Sequence, residues 1–417
     1  MHVLYVVGQN AGGLPHYTAE LANAVAEHAE VTVLKPRETT ADEVFGPDVE
    51  VRDAFEPLGL SLPGIYDLDV HPREVLRGIR SYGAVNAIHE IAPDVVHDAT
   101  DLFPQVKFYL KRHGIDRDLP LVVTRHEVTL GRFSLDRPHQ FAEELVDYAI
   151  PDLDVDRTVV HTESQKQALG ERGVARDSVA VIPHGTYSLF GTHEDIADEP
   201  DGDTVLFFGH VVPHKGIDTL IRAIPRVARE VPDVTLLVAG DGTIPDDARS
   251  IVDTNRDNFE IHDRHIPNDA VQDFFERAAV VALPYHEREG KTNGHSGVLA
   301  TALSFGKPVV ASQAGDFPAQ IDGRGCGLVV PSRDPDRLAD AIVHVLTDEQ
   351  ARAEMARNSR QFVEELSWDA IGRRHVALYE SVLDDRAGLT PAHARAGSEE
   401  AVGDPASGDD SLRTPTD

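Results

Sequence analysis

The stretch "TVLFFGHVVPHKGIDTLIRAIPRVAREVPDVTLLV", Thr204 to Val238, decides how this chain folds. It opens on an apolar run, Thr204 to Phe208, breaks at Gly209, crosses a polar loop and then carries Ile217, Leu220, Ile221, Ile224 and Val227 at helical spacing. That spacing puts the five on one face of a helix around Asp218 to Arg229, in which Pro225 predicts a kink rather than a break. A second apolar run, Val234 to Val238, follows. Strand, helix and strand in so short a span make a βαβ unit with parallel strands.

The N-terminus repeats the order: strand Val3 to Val7, a glycine-containing turn, a helix around Tyr17 to Glu27, and strand Val31 to Leu34. Further strand signals fall at Asp94 to His97, Leu121 to Thr124, Thr158 to His161 and Val179 to Ile182. The second half adds Phe259 to His262, Val280 to Pro284, Val309 to Ala311 and Gly327 to Val330. Such strands, separated by helical patterns, predict parallel sheets covered on both faces. The expected fold is α/β, with two facing doubly wound domains and a ligand cleft at the C-terminal ends of their strands. We expect an N-terminal domain over 1–190, an acidic linker over 191–203 and a C-terminal domain over 204–366. A C-terminal helix over 367–385 and a disordered acidic tail over 386–417 complete the chain.

Composition narrows the function. A chain of 417 residues, 41% of them hydrophobic, can build more than one core. Its formal net charge is −32, and only seven of its 39 basic residues are lysine. An acidic, lysine-poor surface resembles that of proteins working in molar salt, where a Debye length of about 3 Å screens self-repulsion. We therefore expect a halophilic host. No basic stripe could neutralise phosphates, which argues against nucleic acid as a partner. No run approaches the roughly 18 apolar residues of a membrane span, and "MHVLYVVG" lacks a basic flank and a cleavage site, so a cytoplasmic location is expected. The single cysteine, Cys326, excludes an intramolecular disulfide framework.

The residues that point to chemistry sit at strand-to-helix turns. Free N–H groups at a helix start, with the helix dipole, attract an anion. "GQNAGGLPHY" offers Gly12 and Gly13, "GHVVPHKG" offers Lys215 in the loop before a helix, and "NGHSGVLATALSFGKPVVAS" offers the N–H groups of Ser296, Gly297 and Val298. On these residues alone, Ser296 reads equally as the cap of a core helix. The nucleophile elbow is absent, because "HSG" lacks the residue that must separate serine from the second glycine. No G-x-G-x-x-G follows the first strand, there is no Walker A sequence, and no His-x-x-x-His spacing carries the glutamate of a helical zinc site, so no metal is expected.

Taken in order, these pieces resemble a retaining glycosyltransferase of family 4, with the two-domain GT-B architecture. The segments that carry the resemblance are "GGLPHYTAELANAVAEHAEVTVL", "PDVVH", "VVTRHE", "VVHTESQKQAL", "VAVIPHG", "FFGHVVPHKGIDTLIRAI", "LLVAGDG", "VVALPY" and "SGVLATALSFGKPVVAS". It implies a metal-free transfer of sugar from a nucleoside-diphosphate sugar to a saccharide or lipid-linked acceptor hydroxyl, without a further cofactor. It also implies that Lys215 contacts the donor diphosphate, that Ser296, Gly297, Val298 and Leu299 face the same group, and that Gly12 and Gly13 lie near sugar and acceptor. His126, ending "VVTRH", matches a histidine near the reaction centre.

The chain departs from the family where it places Arg or Lys after the first glycine of the C-terminal domain; His210 stands there. The family's paired glutamates fall on Asn293 and Thr301, with Glu289 the candidate to supply the first acid. Thr301 would bind ribose hydroxyls weakly. Three rival readings remain: a nucleoside-diphosphate-sugar 2-epimerase, a dinucleotide oxidoreductase, and a non-catalytic nucleotide-sugar binding or scaffold protein. "VKFYLKRH", Val106 to His113, reads either as an amphipathic core helix with a basic edge or as a peripheral contact with the inner face of the membrane.

Overall fold

Alternation along the first strand shows how the chain builds its layers. In a computed structural model, β1 (His2–Val6) sends Val3 and Tyr5 into one apolar cluster and Leu4 and Val6 into another, so both faces of the strand are buried. The same holds at mid-chain, where β10 (Thr204–Phe208) places Val205 and Phe207 on one face and Leu206 on the other. Two-faced burial is what all-parallel sheets require. The structure describes residues 1–57, 60–61, 69–70, 72–100, 103–128, 150, 152–186, 191, 194, 200, 202–287 and 296–389.

The first sheet has seven strands in the order β3-β2-β1-β6-β7-β8-β9. They are β2 (Glu30–Pro36), β3 (Val49–Phe55), β6 (Val95–Asp98), β7 (Leu121–Arg125), β8 (Arg157–Val160) and β9 (Val179–Val181) beside β1. A two-stranded antiparallel pair, β4 (Leu60–Ser61) and β5 (Asp69–Val70), stands apart. The second sheet has six strands in the order β12-β11-β10-β13-β14-β15. They are β11 (Thr235–Ala239), β12 (Phe259–His262), β13 (Val280–Leu283), β14 (Val309–Ser312) and β15 (Gly327–Val330) beside β10. Each sheet reverses its strand order once, between β1 and β6 and between β10 and β13. Doubly wound sheets bind ligands at such switch points.

Neither β4 and β5 nor, within the two large sheets, β3 was read from the sequence. In β3, "VEVRDAF", only the two ends are buried, so Glu50, Arg52 and Asp53 interrupt the apolar pattern of an edge strand. Its parallel register on β2, Val31 opposite Val49 and Val33 opposite Val51, supplies what hydrophobicity does not. The Ile217–Glu230 helix runs unbroken through Pro225.

The C-terminal helix differs from its expected span: it covers Trp368–Leu389, so residues 386–389 of the expected tail are helical. The reason is an ion pair. Arg386 Nε donates to Asp156 Oδ1 at 2.7 Å and its Nη2 to Oδ2 at 2.9 Å, a two-pronged bond that holds the last turn. The helix packs against the N-terminal domain, where Ile371, Tyr379 and Val382 join the cluster of Val3, Tyr5, Tyr17 and Leu21. At the centre of this contact Tyr5 Oη lies 2.9 Å from Tyr379 Oη, which lies 2.7 Å from His97 Nδ1; His97 Nε2 lies 2.8 Å from Thr124 Oγ1. Most of the expected linker, and the tail beyond Leu389, lie outside the described residues.

Candidate active site

The donor side is built where three loops meet at the C-terminal ends of β10 and β13. The Pro213–Lys215 turn ends on Gly216, whose φ of +66° favours glycine; a Cβ there would also stand 1.9 Å from the Pro284 carbonyl oxygen. This close approach lets His286 N donate to the His214 carbonyl at 2.7 Å and brings Thr219 Oγ1 to 3.2 Å from His286 Nε2. The turn is thereby stitched to the segment after β13. Lys215 points back over Gly209: a Cβ built on Gly209 would lie 3.1 Å from Lys215 Nζ and 3.4 Å from Val298 Cγ2. Lys215 Nζ also lies 5.5 Å from the ring centroid of Tyr285.

Val298 is the second residue of the Gly297–Ser304 helix, so the ammonium stands beside a helix start. Ser296 caps that helix, its Oγ accepting from Leu299 N at 3.3 Å, and Tyr285 Oη lies 3.3 Å from the same Oγ. Helix geometry leaves the N–H groups of Gly297 and Val298 without an intrahelical acceptor. The first turn carries no acidic residue to oppose an anion. Lysine, two N–H groups and the helix dipole can thus act together on one negatively charged group.

Two expected contacts come out differently. The Leu299 N–H is taken by the Ser296 hydroxyl and its side chain is buried, which removes it from the groups open to a diphosphate. Thr301 is also buried and donates its hydroxyl to the Gly297 carbonyl at 2.9 Å, so a ribose cannot claim that proton. His210 is exposed at the mouth of the β10 loop. Glu289 and Asn293 lie outside the described residues.

On the N-terminal side, Gly12 adopts φ +89° as the cap of the Gly13–Ala26 helix, whose first turn also lacks an acid. The loop before it is set by the β6 end: Gly8 N donates to Thr100 Oγ1 at 2.8 Å, and Gln105 Nε2 donates to the Gly8 carbonyl at 2.7 Å. Two residues past Pro15, Tyr17 presents its ring to His126, 4.7 Å between centroids and nearly perpendicular. His126 follows β7; its Nε2 lies 3.0 Å from the Ala99 carbonyl and its Nδ1 lies 3.1 Å from His161 Nε2. Burial pushes the His126 imidazole down to about 4, against the opposing pull of the Ala99 carbonyl and the Glu127 carboxylate.

The structure therefore joins Lys215 to Ser296, Gly297 and Val298, and His126 to the helix that Gly12 and Gly13 begin. Sequence reading missed Tyr285, His161 and His184. Tyr285 closes the motif "VVALPY", and its carbonyl accepts from both Ser312 Oγ and Ser332 Oγ, which fix the loop after β13. His161 and His184 end or follow neighbouring strands, in "VVHTES" and "VIPHG", and both line a cavity of about 290 Å³ opposite Leu299, Ala300 and Leu303. The domains meet directly beside it, where Ser164 Oγ donates to Asp316 Oδ2. Among the described residues the grouping suited to a cation is Glu27, His28 and Asp369, exposed at the other end of the Gly13–Ala26 helix from Gly12.

Known proteins match the chain in both halves. A family model described as "Glycosyltransferase Family 4" matches residues 11–186, and one described as "Glycosyl transferases group 1" matches 202–348. D-inositol 3-phosphate glycosyltransferase of Saccharomonospora viridis is 28% identical over 396 residues, covering 86% of this chain and 87% of that protein. The GDP-mannose-dependent alpha-(1-6)-phosphatidylinositol monomannoside mannosyltransferase of Mycobacterium tuberculosis is 29% identical over 175 residues, 41% of this chain and 46% of that one. Among solved structures, sucrose-phosphate synthase from Thermosynechococcus elongatus superposes with a TM-score of 0.65 at 20% identity, covering 92% of this chain and all (100%) of that chain. The Anabaena protein HepE in complex with UDP does so with a TM-score of 0.64 at 17% identity, covering 91% and 100%. Matched on both of its parallel sheets, with the same two-domain fold in its structural neighbours, this chain belongs to glycosyltransferase family 4 and is a glycosyltransferase that uses a nucleotide sugar.

Proposed function

We propose that the protein moves a hexosyl group from a nucleoside-diphosphate sugar to an acceptor hydroxyl with retention at the anomeric carbon and without a divalent metal. The observation that carries this reading is the convergence of Lys215 Nζ with Val298 at the start of the Ser296-capped helix. As the anomeric C–O bond breaks, the bonding pair stays on the diphosphate. Lys215 and the N–H groups of Gly297 and Val298 stabilise that charge. The acceptor oxygen forms the new bond to the anomeric carbon and passes its proton to the departing diphosphate oxygen. Gly12, Gly13 and His126 are assigned to the sugar and acceptor side, His210 and Asn293 to further donor contacts, and Glu289 to the role of the family's first acid.

The experiment is thermal unfolding in molar KCl with UDP-sugars and GDP-sugars, followed by assay of transfer with and without EDTA. A donor at 100 times its Kd should add about 2.7 kcal/mol of stability. Transfer should survive chelation. Binding without transfer to any acceptor would favour the scaffold reading, and loss of transfer in EDTA would overturn the metal-free mechanism.

The acceptor is proposed to be a saccharide or a lipid-linked hydroxyl, and the protein to work in the cytoplasm at the membrane face. Lys107 is buried against Asp152 and Lys111 pairs with Asp116 at 2.8 Å, so the Pro104–His113 helix has spent most of its expected basic edge internally. The better lipid-facing candidate is the Pro72–Ser81 helix, where Leu76 and Ile79 are 48% and 38% exposed among Arg73, Arg77 and Arg80. Flotation with anionic vesicles should be weakened by L76S/I79S. Equal flotation of variant and parent would remove this surface from the reading.

A further inference from the structure

From the end of β6 to the end of β9 three hydrogen-bonding contacts run in series through two imidazoles. Ala99 O lies 3.0 Å from His126 Nε2, His126 Nδ1 lies 3.1 Å from His161 Nε2, and His161 Nδ1 lies 3.0 Å from Ile182 O. The two ends of this series are carbonyl oxygens, which can only accept. Each outer nitrogen must therefore carry a proton, and a neutral imidazole has only one. In the neutral pair the two inner nitrogens then face each other with lone pairs at hydrogen-bonding distance. A third proton between them completes the series and leaves the pair with one positive charge.

We propose that His126 and His161 bind one proton jointly, held between the two rings, and that His161 thereby sets the charge His126 presents to the donor. The proposal rests on the reading that His126 stands beside the reacting sugar; His161 itself acts through His126 as a positioning residue. The proton comes from solvent and no other bond changes. Desolvation opposes the charge, and the two rings are packed against Tyr17 and His184, with ring centroids 4.7 to 6.1 Å apart. A diphosphate entering the cleft supplies the missing counter-charge, so donor binding and proton uptake are coupled.

The charged and titratable groups around the pair act in both directions. Glu127, the next residue along the chain from His126, favours the proton, while burial first and His375 and His126 after it keep His97 on β6 neutral. Tyr17 comes from the Gly13–Ala26 helix and His184 from the segment after β9. Glu163 at the start of the Glu163–Glu171 helix lines the same cavity as His161, and Asp316 and Arg374 line it from farther along the chain. Because the pull of Glu127 and the Ala99 carbonyl does not outweigh desolvation, the donor's charge decides occupancy.

The test is nitrogen-15 NMR of histidine-labelled full-length protein in molar KCl from about pH 3 to 9, a span that takes in the His126 value of about 4, with and without UDP-glucose or GDP-mannose. The expected result is that His126 Nε2 and His161 Nδ1 stay protonated throughout while the two inner nitrogens titrate in one shared step. The sugar nucleotide that binds should raise that step by a pH unit or more, and its Kd should fall by up to tenfold per unit of falling pH between the free and bound steps. H161L should weaken the pH dependence of Kd, and H161Q, which keeps an acceptor near the Nε2 position, should restore it. Independent titration of the two rings in the free protein, an unprotonated outer nitrogen, or an unchanged pH dependence in H161L would overturn the proposal. Failure of both nucleotide sugars to bind would count against the transferase reading instead, and the titration of the free protein still decides the pair.

Discussion

Lys215 Nζ stands 5.5 Å from the centre of the Tyr285 ring, and the Tyr285 hydroxyl in turn reaches Ser296, the cap of the helix whose start the lysine faces. A side chain on one loop is thus oriented by the ring of a second loop, which is itself tied to the anion-binding helix. A cation above an aromatic face gains about 0.5–1 kcal/mol at a partly exposed site. Its larger effect is to keep a long, flexible ammonium in one place.

From this relationship we expect Lys215→Ala to lower kcat by roughly 100-fold or more, in line with removal of one preorganised charge-stabilising group. Tyr285→Leu should lower it less, by about fivefold, while leaving the fold intact. Initial rates at saturating donor check both. Comparable rates for Lys215→Ala and the parent would remove Lys215 from the chemistry.

Tyr379→Phe should destabilise the protein by about 1–3 kcal/mol. It removes the hydroxyl that joins Tyr5 to His97 in a fully buried setting, leaving two polar groups without that partner. Urea unfolding followed at Trp368, on the same helix, measures the change. A shift below about 0.5 kcal/mol would mean that the contact is replaced by water.

Stability should fall as the medium is acidified from about pH 6.5 to pH 4. Burial lowers His375 to about 4, so over this interval the unfolded chain binds a proton that the native state refuses. The stability is present above the unfolded value near 6.5, declines through the interval, and stops declining below the folded value. The slope is at most about 1.4 kcal/mol per pH unit for this residue. His375→Phe should reduce the slope, with His126 and His97 still contributing, and an identical slope in parent and variant would assign the acid sensitivity elsewhere.

Salt should be required for full stability. The formal charge is −32, while Lys35, Lys107 and Lys307 are buried, so the surface is poorer in lysine than the composition alone implies. Self-repulsion of this kind is strong in dilute buffer and screened in molar salt. Unfolding temperature should rise steadily from 0.1 M to 2 M KCl; a flat response would sink the halophilic reading.

The order of strands and helices was legible in the sequence because each depends on neighbours within a few turns of chain. Strand β10, the Ile217–Glu230 helix and strand β11 all follow from period and punctuation, as do the glycine turns at Gly12 and Gly216. Edge strand β3 was not legible, since an edge buries too little to impose a pattern. Lys215 and Ser296 could be picked out singly from their positions before helices; that they converge was implied by the family resemblance and not by the residue pattern itself.

What the sequence by itself determined was a chain of βαβ units in two halves, with phosphate-type turns in each, because those features are written in residues close along the chain. Only the tertiary structure decided which polar groups were still available. It spent the Thr301 hydroxyl and the Leu299 N–H inside a helix, buried Lys107, and brought Tyr379 back across 374 residues to Tyr5. It also set His161 against His126, 35 residues apart. Hydrogen bonds and charges act over a few ångströms of space regardless of separation along the chain, so their partners are fixed by packing.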